Sequence, residues 1–180
     1  MSTTSAHPVP PVTPGSIVVG HDGSPGADDA LAEALALARA LHRPLVVVRA
    51  WSLATAPRPA TWEFGYVPPF EEYADGVHQA LLHDTGPLVT TFDDVPVDHR
   101  VVHAGAAHSL VELSHDARML VVGARGLGGL AGMLLGSVSE QCVRHAACPV
   151  LVTRTRAPAV EPPVGIEPTT YSLRVNRSTD

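Results

Sequence analysis

The chain has 180 residues, 45% of them apolar and 17% charged, with a formal charge of −6. Such a balance suits one soluble globular domain with core enough to fold unaided, and the negative charge argues against nucleic acid, which needs a basic face. All 12 basic residues are arginine, which excludes the lysine of a Walker A motif and leaves backbone and arginine to hold any phosphate.

Residues 1–14 hold Pro8, Pro10, Pro11 and Pro14 among small polar residues and read as a disordered leader. Ser16 to Gly20 is a short buried strand, ended by His21-Asp22-Gly23. Ser24-Pro25 then gives an N-cap followed by proline at the first helical position, with Asp28 and Asp29 suited to the first turn. Leu31, Leu35 and Ala38 form an apolar stripe at helical spacing that ends near His42. Leu45 to Val48 is a continuous apolar strand, as expected for a sheet covered on both faces.

Residues 52–69 form a long connection carrying Pro57, Pro59, Pro68 and Pro69 with Trp62, Phe64 and Tyr66. A loop of that length is functional or mobile, and Trp62 is a candidate to stack on a bound base. A weaker helical pattern runs from Phe70 to about Phe92, and Val95 to His103 alternates as a third strand with His99, Val101 and His103 on one face. Ser109 to His115 reads as a short helix and Arg118 to Gly123 as the fourth strand.

A glycine run follows, from Gly123 through Gly126, Gly128, Gly129 and Gly132 to Gly136. Glycine lets backbone N–H groups turn toward an anion with no Cβ in the way. The next helix, Ser137 to His145, begins at a serine with Glu140 three residues on, the spacing of a capping box. Its N-terminus adds free N–H groups and partial positive charge where a phosphate would sit. Pro149 to Thr153 is the last strand, and the proline-bearing stretch 155–180 reads as a disordered tail. Its segment Gly165 to Tyr171 has the look of sequence read past a gene's true end.

Strand and helix alternate throughout, which predicts a parallel sheet with helices on both faces. Ligands in that architecture bind beyond the carboxyl ends of the strands, at the switch in strand order. Asp22, Ala50 and the glycine loop all follow such ends. Other chemistries have weaker support. Gly126 to Ala131 fits a dinucleotide pattern, but it follows a late strand and lacks the acidic residue after the next. Neither a serine elbow nor a zinc helix is present, and the ten histidines lack ligand spacing. Cys142 and Cys148 read as small buried hydrophobes. No apolar run is long enough to span a membrane and no signal peptide is evident, so a cytoplasmic location is expected.

Gly123, Gly126, Gly136 and Ser137 match the G-x2-G-x9-G-[ST] pattern of the universal stress protein family. The resemblance extends to Ile17 through Ser24 and to Cys148 through Val152, covering about residues 15–154 in order. It implies an α/β fold with five parallel strands in order 3-2-1-4-5 that binds ATP. By that match Asp22 contacts the ribose or adenine, with backbone from His21 and Gly23. Ala50 touches the base. Gly123, Arg125 and Gly126 line the ribose and phosphates, and Gly136, Ser137 and Val138 donate to the phosphates with help from Ser139. Asp22 also suits a plain turn role that caps the following helix. Leu127 stands where relatives often carry a basic residue. Magnesium would offset phosphate charge, but no dedicated carboxylate pair is visible for it.

The resemblance implies a nucleotide-dependent stress-response module, a homodimer through the last strand, and at most slow hydrolysis, since no residue stands out as a water-positioning base. A nucleotide hydrolase or adenylyl-transfer enzyme of the same fold is the alternative, although its H-x-G-H and S-G-G-x-D-S motifs are missing. A nucleotide-free interaction protein is the third reading, opposed by the intact glycines.

Overall fold

The computed structural model describes residues 9–57, 69–128 and 134–154. Gly129, Gly132, Trp62, Phe64, Tyr66, the first eight residues of the leader and the whole stretch 155–180 lie outside them. Nine elements alternate along the chain: β1 (Ile17–Gly20), α1 (Pro25–Leu41), β2 (Leu45–Trp51), α2 (Phe70–Val89), β3 (Val97–His103), α3 (Ala106–Leu113), β4 (Met119–Gly123), α4 (Ser137–His145) and β5 (Val150–Thr153). The strands form one parallel sheet in the order β3-β2-β1-β4-β5.

Alternation along each strand divides the core in two. Ile17, Val19, Leu45, Val47 and Val121 pack with Leu31, Leu35 and Leu81 from α1 and α2. Val18, Val46, Val48, Leu120 and Val122 face Leu110, Leu113 and Cys142 from α3 and α4. Full burial of a side chain such as Leu35 contributes about 2 kcal/mol. α1 starts as its sequence dictates: the Ser24 hydroxyl accepts from the Ala27 N–H at 3.2 Å and Pro25 opens the first turn. It ends where His42 turns left-handed at φ 51°.

Several boundaries differ from the sequence reading. β2 runs three residues past the apolar run, because Arg49, Ala50 and Trp51 continue the pairing against Val101, Val102 and His103. β3 starts at Val97, since Pro96 has no N–H to donate to a ladder. α3 begins three residues before Ser109, capped at Gly105, and the buried Ser109 hydroxyl donates back to the Gly105 carbonyl at 3.1 Å. The capping box of α4 does not form. Gly136 is the N-cap with no side-chain bond, Ser137 is already helical, and Glu140 pairs with Arg144 at 2.7 Å.

Two further features bear on the site. Residues 9–14, inside the expected leader, lie against the domain: Val12 is buried, and Arg100 donates to the carbonyls of Pro10 and Pro11 at 3.0 and 2.9 Å. The end of β4 touches the first turn of α1 so closely that a Cβ at Gly123 would sit 2.7 Å from the Gly26 carbonyl oxygen. Gly123→Ala should therefore lower stability by about 2 kcal/mol through overpacking. Urea denaturation reads this directly, and an unchanged midpoint would show that helix and strand separate freely.

Candidate functional site

The reversal of strand order lies between β1 and β4, since β2 and β4 flank β1 on opposite sides. Beyond these strand ends, on the α3 and α4 side of the sheet, is a cleft of about 410 Å³. His21, Asp22, Ala50, Gly123, Arg125, Gly126, Gly136, Ser137, Val138 and Ser139 all line it; Gly23 does not. Gly23 is needed one step back, where the turn adopts φ 85°, a conformation that side chains rarely take.

The cleft has two chemically distinct ends. Val48, Ala50, Ala106, Leu110 and Val122 supply an apolar wall that only Ala50 represented in the sequence reading. The missing members come from α3 and from the same sheet face, and nothing short of the strand order brings them together. At the other end are the glycine loop and the start of α4. No side chain caps α4, so the N–H groups of its first turn are without intrahelical partners beside the cleft. Arg125 is exposed at this end. The buried Ser139 hydroxyl is turned inward, bonded to the carbonyls of Ala124 and Gly136 at 3.0 and 2.9 Å.

Asp22 joins the two walls. One carboxylate oxygen accepts from the Ser24 N–H at 3.0 Å, so the turn role weighed from sequence is real. The other accepts from the Leu127 N–H at 2.9 Å and ties the glycine loop down. A Cβ at Gly126 would collide with that same oxygen. Burial alone would push the Asp22 pKa up, but the hydrogen bonds from Ser24 and Leu127 outweigh it and hold it below the usual range.

Beneath the cleft is a network with no counterpart in the sequence reading. The His21 side chain is fully buried, with Nδ1 2.9 Å from Arg49 Nη2 and Nε2 3.0 Å from Asp28 Oδ1. A guanidinium can only donate. Nδ1 must therefore be the acceptor, and the proton sits on Nε2, donated to Asp28. Burial lowers the His21 pKa and Arg49 lowers it further, against the bond to Asp28. Arg49 also donates to Asp84 on α2 at 2.7 Å. The available signal was a single arginine within an otherwise apolar strand.

Other features lie off the cleft. Trp51, Phe70 and His103 stack with ring centroids 4.7–5.0 Å apart, joining the two ends of the long connection. His99 bonds Thr85 at 3.0 Å. Among the described residues no group of three or more potential metal ligands occurs, and no helix is long and apolar enough to cross a membrane.

Comparison with known proteins agrees with this fold. The family model described as the universal stress protein family matches residues 15–154. A universal stress protein of Mycobacterium tuberculosis is 38% identical over 140 residues, covering 77% of this chain and 45% of that one. This chain thus spans about half the length of the curated relatives it matches. Among solved structures, a universal stress protein in complex with cAMP is 28% identical, with a TM-score of 0.58 over 81% of this chain and 100% of that chain. UspA from Lactobacillus plantarum shares the fold at a TM-score of 0.61 and 19% identity, over 79% of this chain and 99% of that one. The chain belongs to the universal stress protein family.

Burial of a neutral His21 sets an acid limit on stability. The unfolded chain takes up the proton near the usual pH 6.5 and the folded protein does so only below it, so stability is full above that value and is lost as pH falls through the folded pKa. His99, also lowered, acts in the same direction. The contribution of Asp22 persists above its usual 3.8 and disappears as pH falls through its lower folded value. Urea midpoints should therefore decline in two separate pH ranges. A midpoint constant from neutral pH down to the carboxylate range would mean that His21 is not buried neutral.

Proposed function

We propose that this member of the universal stress protein family binds ATP in the cleft and works as a nucleotide-dependent regulatory module of a cytoplasmic stress response. The observation that carries this reading is the pairing of an apolar wall with uncapped backbone donors in one cleft. An adenine ring suits the first, and a polyphosphate suits the second together with Arg125. The relative crystallised with cAMP supports an adenine nucleotide as the ligand class.

Any hydrolysis is slow. Both oxygens of Asp22 are engaged, Glu140 pairs with Arg144, and the His21 ring is held between Arg49 and Asp28. None of these acidic or basic groups stands free to position a water. For the same reason magnesium would be held mainly by the nucleotide's own phosphates.

The packing at Gly123 weakens the argument that intact glycines by themselves imply a ligand, since Gly26 requires that glycine in any case. Binding is better tested at Arg125, whose side chain is exposed beside the cleft. Calorimetric titration should show micromolar ATP binding, with Arg125→Glu weaker by about tenfold from charge reversal beside the phosphates. Lack of heat with the unmodified protein, with and without magnesium, would turn the reading to a nucleotide-free interaction protein.

We also propose a homodimer through β5. It is a sheet edge whose Val150, Leu151 and Val152 are only half-buried, and such an edge invites pairing. Light scattering should give twice the chain mass, and a monomer at every concentration would exclude this interface.

A further inference from the structure

Arg49 does not line the cleft, yet its guanidinium grips the turn that does. Nε donates to the His21 carbonyl at 3.1 Å, and Nη2 donates to His21 Nδ1 at 2.9 Å and to Asp84 at 2.7 Å. The carbonyl it holds belongs to the peptide leading into Asp22, whose carboxylate holds the Leu127 N–H of the glycine loop. One side chain thus links α2, the His21–Gly23 turn and, through Asp22, the phosphate end of the cleft. We propose that Arg49 is a positioning residue for the nucleotide cleft, and that proton uptake by the buried His21 ring releases its grip and weakens nucleotide binding. The proposal rests on the nucleotide reading given above.

The chemistry of the contact requires this coupling. An imidazole proton on Nδ1 would face the guanidinium N–H, turning a hydrogen bond into a contact between two donors and two positive charges. The other charged or titratable groups around the ring do not replace the lost bond. Asp28 of α1 already takes the Nε2 proton, and Asp84 of α2 binds Arg49. Asp22, next in the chain, is engaged at Ser24 and Leu127. His99 of β3 acts only through space.

Cyclic AMP is the appropriate probe, because its phosphodiester keeps one charge from about pH 8 to about pH 5.5, the range in which a histidine switches. Calorimetry should show wild-type affinity falling severalfold toward the acid end of that range, as His21, whose pKa is lowered from 6.5, takes up its proton and the charge-assisted hydrogen bond is lost. Arg49→Met should bind about tenfold more weakly at the upper pH and vary little with pH. Arg49→Lys, which keeps the charge without the fork, should resemble Arg49→Met. Wild-type affinity or a wild-type pH profile in these variants would overturn the proposal. NMR of the ligand-free protein supplies a readout independent of nucleotide: the Leu127 amide should shift in step with the His21 ring in wild type and not in Arg49→Met. If cyclic AMP binds at no pH, the nucleotide reading is what suffers, and the NMR titration alone decides the coupling. A Leu127 amide that stays still while His21 titrates would overturn it.

Discussion

β1 is the constraint on which everything else rests. Its Ile17, Val18 and Val19 are fully buried, and it pairs with β2 on one side and β4 on the other. A parallel strand paired on both sides and covered on both faces leaves the chain nowhere to go but out past its carboxyl end. The chain leaves β1 through α1 on one face and leaves the neighbouring β4 toward α4 on the other, and a crevice opens where they separate. The turn after β1 is the floor of that crevice, so the residues His21 to Ser24 inherit both jobs, ending a strand and shaping a cleft. Ser24 caps α1 and Asp22 braces the glycine loop within three residues of each other.

The two sheet faces divide the labour. On the α3 and α4 side, small and apolar residues at Val48, Ala50 and Val122 leave space. On the α1 and α2 side, the register places Arg49 and His21 where space would be wasted, and they fill it with polar contacts that satisfy one another. Burying a guanidinium and an imidazole together is costly unless every donor finds an acceptor. Asp84 and Asp28 supply the two that the sheet cannot.

What could be read from the sequence follows from how far its signals reach. The two-faced sheet and the position of the glycine loop follow from apolar runs and a spaced motif, which are local patterns, whereas the strand order was implied only by the family resemblance. Arg49 and His21 meet across 28 residues, and Asp22 meets Leu127 across 105; no periodicity encodes such partners. The apolar wall from α3 was invisible for the same reason. The sequence reading began α3 at Ser109, whereas its hydroxyl bonds back to the carbonyl of the N-cap Gly105, one turn earlier. Ser137 and Glu140 had capping spacing, but Glu140 found a better partner one turn on in Arg144.

The contact between Gly123 and Gly26 has a bearing on how this fold changes over evolutionary time. A lineage that abandoned its ligand would be free to lose Gly136, where a methyl group meets only ordinary neighbours at 3.5 Å and beyond. It would not be free to lose Gly123, because selection for folding alone maintains it. The two positions therefore answer to different demands within one motif, Gly123 to the packing of α1 against β4 and Gly136 to the start of α4.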